Sequence, residues 1–240
     1  MIPIVLALSA FTAAMVGGVV ALKNQKNLYR LLGLTAGIVM GVVVFGLLRE
    51  IASLSQSAYH IRTAMVALMA GFLLFHIIEK SILISHQDEK QYGDHHHPHV
   101  GKASALALAG HSMLDGLGIG LAFQTNAVVG VAVAIAVVAH SFSDGMNTVN
   151  LMLAHKNERS KAVRMLLLSA TAPLVGVLLS FLLRPSDGFT LIYLSFFAGF
   201  LLYIAASDIL PEAHSKHSSY RTIALTIAGV VMMYFVTQLA

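Results

Sequence analysis

Eight long apolar runs separated by short polar breaks limit what this chain can fold into. They cover residues 2–22, 31–48, 63–84, 103–123, 127–153, 163–183, 189–209 and 222–239. Crossing the hydrocarbon of a bilayer takes a helix of roughly 20 mostly apolar residues. No water there satisfies backbone N–H and C=O groups, so only helices or a closed barrel can span it. The runs lack period-2 alternation and therefore read as helices. Composition agrees: 57% of the 240 residues are hydrophobic and only 11% charged, whereas a soluble domain carries about 25% charged residues. The predicted fold is an all-α integral membrane protein with eight transmembrane helices, residues 1–240 forming one membrane domain with no soluble domain. The first run, Ile2 to Leu22, has no basic residue ahead of it and is too long for a signal core, so it reads as a spanning helix.

The breaks carry the charge. They include Lys23 to Asn27, a polar stretch around His86 to His99 within a loop over 85–102, Gln124 to Asn126, His155 to Arg159, and Arg184 to Gly188. Lys23, Lys26, Arg30, Lys80, Lys90, Lys102, Lys156, Arg159, Lys161, Arg164, Lys216 and Arg221 fall on one side, with only Arg49, Arg62 and Arg184 opposite. Basic residues favour the cytoplasmic face, so the expected topology is a multi-pass cell-membrane protein with both termini outside and the 85–102 loop in the cytoplasm. These loops also explain the basic charge, so no nucleic-acid partner is implied.

An internal repeat is legible. Ala36-Gly37, Leu48 and Glu50 recur at the same spacing as Ala198-Gly199, Leu210 and Glu212, and Ala70-Gly71 matches Ala228-Gly229. Leu8-Ser9-Ala10 matches Leu168-Ser169-Ala170. The offset is about 160 residues, or five helices. An odd number reverses the sense of crossing, so helices 1–3 and 6–8 are expected to form an inverted repeat around helices 4 and 5, a 3+2+3 arrangement with a site near the midplane.

The fourth and fifth runs carry the chemistry. His111 and Asp115 in one, and His140 and Asp144 in the other, stand four residues apart, one turn apart on a single helix face. Ionisable groups at mid-membrane cost several kcal/mol unless they pair or line a polar cavity. With no cysteine in the chain, a metal site must use imidazole and oxygen. Two imidazoles and two carboxylates suit four-coordinate Zn²⁺, and Fe²⁺, Mn²⁺ or Co²⁺ with added water. Interhelical His–Asp pairs without metal, or a proton relay, use the same residues.

The eight-helix pattern, the His-rich loop, the two His-x-x-x-Asp motifs and Ala198-Gly199 through Leu210-Pro211-Glu212-Ala213 together resemble the ZIP family of divalent-metal transporters over nearly the whole chain. The resemblance implies transport of a divalent cation as substrate, Zn²⁺ foremost, with Fe²⁺, Mn²⁺, Co²⁺ and Cd²⁺ as alternatives. Movement would be toward the cytoplasm through His111, Asp115, His140 and Asp144, by a homodimer and not an enzyme. The chain departs from many members at Leu114 and Ser143, where they carry Pro, and its acids are Asp rather than Glu. Ser112 and Ser141 stand where two-metal members place stronger ligands, which favours a single-metal site.

Asn147 and Asn150 continue from Asp144 every three residues as an expected exit track, extended by Asp208, Glu212 and His214; Glu50 and His60 are entrance candidates. His76 and Glu79 form a further candidate pair. No Gly-x-x-x-x-Gly-Lys-Ser/Thr run is present for ATP. The alternatives are an intramembrane zinc-dependent hydrolase, with Ser112 or Ser143 nearby, and a metal-sensing receptor. His95, His96, His97 and His99 cluster on the loop, where imidazoles bind Zn²⁺ whatever their fold, as a sensor or buffer. Deleting residues 95–99 is therefore expected to leave uptake intact and to alter its response to cytoplasmic metal, measured as initial uptake rates before and after zinc loading.

Overall fold

The computed structural model describes residues 1–23, 29–57, 61–91, 98–154, 156–215 and 219–238, and among them there are helices and no strands. Helix α1 is Ile2–Lys23. Helix α2 runs as Tyr29–Gly41, widens to a π-helix over Val42–Leu47 and ends as Leu48–Ser57. Then come α3 (Ile61–Gln91), α4 (Pro98–Thr125), α5 (Ala127–Ala154) and α6 (Arg159–Ser180). Helix α7 runs as Asp187–Tyr203, a π-helical Ile204–Ile209 and Leu210–Ser215, and α8 is Tyr220–Gln238. All eight are long and apolar enough to cross a membrane.

Helices α2, α3 and α7 extend past the apolar runs that mark them in the sequence, to Ser57, Gln91 and Ser215. The run ends where polar residues begin, whereas a helix continues as long as its backbone ladder does. Helix α7 even carries Pro211, which lacks an N–H and crowds the carbonyl four residues back. The π turn immediately before it, where Leu210 N–H bonds the Ala205 carbonyl, widens the backbone at that point. The break between α4 and α5 is a single residue. Asn126 Oδ1 accepts from Val128 N–H at 2.8 Å, a side-chain cap that starts α5.

Small residues let the helices close on one another. The buried positions of α1 are Pro3, Ala7, Ala10, Ala14, Gly17 and Gly18, while Ile2, Val5, Leu8, Val16 and Val19 face outward. Without a hydrophobic drive between helices in lipid, close backbone packing supplies the attraction. The closest approaches come in reciprocal glycine contacts. A methyl built on Gly17 of α1 would fall on the Phe142 carbonyl of α5, and one on Gly145 of α5 on the Ala14 carbonyl of α1. Gly116 meets Pro173 and Gly176 meets Met113 across α4 and α6. Gly37 with Thr226, and Gly229 with Leu34, join α2 to α8; Gly71 with Phe196, and Gly199 with Leu68, join α3 to α7.

These contacts divide the bundle. Helices α1, α4, α5 and α6 pack on one another, and α2, α3, α7 and α8 pack around them as α2 with α8, α3 with α7, and α2 with α7. Gly37→Val is expected to destabilise the detergent-solubilised protein by roughly 1–3 kcal/mol, the usual cost of overpacking. Gly110→Ala, where nothing lies within 4 Å of the added methyl, is expected to leave it unchanged. Thermal melting followed by size-exclusion chromatography separates the two.

Candidate metal centre

Helices α4 and α5 lie side by side, and the i, i+4 spacing turns one His and one Asp of each toward the other. Asp115 Oδ2 sits 3.1 Å from Nε2 of both His111 and His140. Asp144 Oδ2 lies 3.7 Å from the same two nitrogens. One ligand atom from each residue lies within 4.8 Å of all the others. All four residues are buried, His140 at 0% exposure and Asp144 the most open at 8%.

The spacing fits a tetrahedral ion. Bonds of about 2.0–2.1 Å put tetrahedral ligands roughly 3.3–3.4 Å apart, and the nitrogen–oxygen separations of 3.1 and 3.7 Å bracket that value. Protonation argues the same way. Nδ1 of His140 lies 2.8 Å from the Ala136 carbonyl, which has no proton to give, so Nδ1 carries the hydrogen and donates. Nε2 of the neutral ring is then a bare lone pair, 3.1 Å from an oxygen of Asp115. Two facing lone pairs repel unless a proton or a metal cation stands between them. His111 Nε2, Asp115 Oδ1 and Asp144 Oδ2 find no hydrogen bond in the protein, each unmet group costing about 1–3 kcal/mol. A divalent cation at the centre would answer these groups together.

The surrounding groups hold the cage without joining it. Ser112 Oγ donates to the Leu108 carbonyl at 3.0 Å and Ser141 Oγ to Val137 at 2.7 Å. The ring of His111 packs edge-on against Phe75 of α3 and Phe200 of α7, at centroid distances of 5.8 and 4.5 Å.

The family model for the ZIP zinc transporters matches residues 79–237, well over half of the chain and a span that includes His111, Asp115, His140 and Asp144. The chain belongs to the ZIP zinc transporter family. The family is one of transporters and not enzymes, and the protein is a multi-pass membrane protein. Zinc transporter zipt-7.2 of Caenorhabditis elegans is 25% identical over 134 residues, 52% of this chain and 29% of its own. Zinc transporter zipt-7.1 of Caenorhabditis briggsae is 26% identical over 143 residues, 53% of this chain and 36% of its own. The chain thus spans about a third of the length of the curated relatives it matches.

In this ZIP chain the outlying candidates stand apart from the four central residues. Asn147 and Asn150 are partly buried on α5, one and two turns beyond Asp144. Asp208 is partly buried in the π-helical part of α7. Glu212 is partly buried, and His214 Nδ1 donates to the Leu210 carbonyl at 2.9 Å, leaving Nε2 outward of that bond. His76 packs on Tyr203 at 5.7 Å, and Glu79 ion-pairs with Lys80 at 2.9 Å. Glu50 borders a cavity of about 220 Å³ with Arg49, Ser53, Asn126 and Ala132. Ala132 stands eight residues before His140, about 12 Å of helix, and Val133, Ala136 and Val137 between them are fully buried. His60, His95, His96 and His97, and the side chain of His99, lie outside the described residues.

Sequence reasoning passed over Phe75, Phe200 and Tyr193, whose hydroxyl donates to the Leu114 carbonyl at 2.8 Å. The signal was present as Phe189, Tyr193, Phe197 and Phe200 on one face of α7, but such a stripe reads first as packing. Loss of a group that merely supports a ligand costs about 10–100-fold in metal affinity. His140→Ala is therefore expected to weaken equilibrium Zn²⁺ binding by about 100-fold or more, and Ser141→Ala to leave it nearly unchanged, both measured by titration calorimetry in detergent.

Proposed function

We propose that this chain carries a divalent metal cation, Zn²⁺ foremost, across the membrane to the cytoplasm through His111, Asp115, His140 and Asp144. The observation that carries this reading is the meeting of four buried ligand atoms within 4.8 Å of one another, inside a bundle whose family is one of zinc transporters. With both termini outside, the Glu50 cavity becomes the outer vestibule and Asp208, Glu212 and His214 the inner mouth. The buried stretch of α5 between Ala132 and His140 closes the outer route. Asp144, the most exposed ligand, opens instead toward Asn147 and Asn150. Amide groups at one-turn intervals replace lost ligands stepwise as the ion rehydrates. Residues 95–99 act on the cytoplasmic side as a metal sensor outside the transport route.

Access then has to alternate, with the group α1, α4, α5 and α6 moving against α2, α3, α7 and α8. The inverted repeat supports this. Gly37 and Gly199 occupy corresponding places in the two halves, as do Gly71 and Gly229, and all four make the backbone contacts described above. The π-helical segments Val42–Leu47 and Ile204–Ile209 stand at the same interval. Opposed halves of equal build give two states of similar energy, one open to each side. A single ion is carried at a time, because Ser112 and Ser141 offer only neutral hydroxyls beside the two histidines, poor ligands for a second divalent cation.

Proteoliposomes test the proposal. Wild-type protein is expected to take up Zn²⁺, with Fe²⁺, Mn²⁺ and Cd²⁺ compared as competitors, while Asp115→Ala and Asp144→Ala are expected to lose at least about nine-tenths of the flux, since each removes one of the two carboxylates that offset the charge of a divalent cation inside the bundle. Saturable Zn²⁺ binding with no flux in the wild type would abandon the carrier for a receptor.

A further inference from the structure

Phe189, Tyr193, Phe197 and Phe200 follow one another along α7 at intervals of four, four and three, which keeps them on one face. Their rings form a column. Phe189 stacks on Tyr193 and Tyr193 on Phe197, at centroid distances of 6.3 and 6.1 Å and interplanar angles of 16° and 13°. Phe197 continues to Phe200 at 5.7 Å, and Phe200 meets the ring of His111 at 4.5 Å. Helix α4 lies along this column. A methyl on Gly118 would come within 2.8 Å of the Phe197 ring. Between Gly118 and His111 the Tyr193 hydroxyl donates its 2.8 Å hydrogen bond to the Leu114 carbonyl, directly before Asp115.

Ring against glycine is a contact without a preferred register, since apolar attraction has no direction. A hydrogen bond has one. The Tyr193 bond therefore sets where α4 rests along α7, and it joins the helix group that holds the cage to the group that surrounds it. Breaking it strands nothing in α4. The Leu114 carbonyl sits inside the helix, where its other lone pair serves the backbone ladder.

We propose that Tyr193 is a positioning residue for transport, whose hydroxyl latches the Asp115 turn of α4 in the state closed toward the Glu50 cavity and lets go when the cage turns to that cavity. This rests on the carrier reading above. A bond that served only as glue within a rigid interface would persist through the cycle, and its loss would lower stability without redistributing the states.

The absence of cysteine from the chain makes the test direct. Val133, fully buried between the Glu50 cavity and the cage, is replaced in a Val133→Cys reporter and labelled with a membrane-impermeant maleimide in proteoliposomes. Adding Tyr193→Phe, which keeps the ring and removes the hydroxyl, is expected to raise the labelling rate on the order of fivefold, the population shift from one net hydrogen bond. The maximal Zn²⁺ flux is expected to change severalfold, while bound Zn²⁺ at saturation stays at the parent's value. Labelling and flux within twofold of the parent would overturn the latch.

Should Tyr193→Phe fail to fold, a Gly118→Cys, Phe197→Cys pair decides, the smaller residue at 197 making room for the new side chain at 118. Bridging the pair with a short reducible bis-thiol reagent is expected to stop Zn²⁺ flux and reduction to restore it. Undiminished flux after complete bridging means that α4 does not move along α7, and the proposal falls. No flux in the parent protein would sink the carrier reading instead.

Discussion

Ionisable side chains inside an apolar bundle have only one another to turn to, and the arrangement of this protein follows from that need. Four of them, two from α4 and two from α5, converge so that Nε2 of each imidazole has a carboxylate oxygen at 3.1 Å and a second at 3.7 Å. Dispersed singly, each would cost several kcal/mol in hydrocarbon. Together they still leave buried atoms unmet, a deficit that a proton or a cation between them would answer.

Bringing two polar helix faces to such distances demands that the helices behind them approach as closely. Gly116 and Gly145, each the residue after a ligand Asp, do this on the other side of the same turn by receiving the carbonyls of Pro173 on α6 and Ala14 on α1. Each ligand-bearing helix is thus held from both sides at the level of the cage, by ligand contacts in front and backbone contacts behind. The second ring of helices is built differently near the cage. Phe75 and Phe200 present rings to His111, and rings against an inner bundle exclude water without fixing position. The contrast between tight glycine contacts within each group and aromatic faces between them supplies the boundary along which the proposed carrier moves.

Much of this was legible in the chain. Eight runs gave eight helices because hydrocarbon thickness and backbone hydrogen bonding leave a single solution to an apolar run of that length. The meeting of the four was legible because His and Asp four apart share one helix face, and two such faces on neighbouring helices have each other to turn to. The ends of α2 and α7 were not. Hydropathy reports the solvent a residue prefers, whereas those helices continue through Glu50 and Glu212 by widening into π turns, a backbone feature with no compositional mark. The role of the α7 aromatics was hidden for a related reason. Phe197 and Phe200 look like packing because they are packing, and their use comes from what they pack against.

The cage is uneven, and the unevenness bears on release. A carrier must hold its ion firmly enough to desolvate it and loosely enough to give it up. Asp115 lies 3.1 Å from both imidazoles and is almost wholly buried, while Asp144 stands off at 3.7 Å and keeps the most exposure of the four. In the proposed carrier, Asp144 is then the ligand that opens first, exchanged for water arriving along Asn147 and Asn150. Asp115 keeps the ion between the two imidazoles until that exchange is under way. Two carboxylates of the same type, one held by α4 close to both imidazoles and one by α5 farther from them, would give the proposed carrier a firm ligand and a looser one.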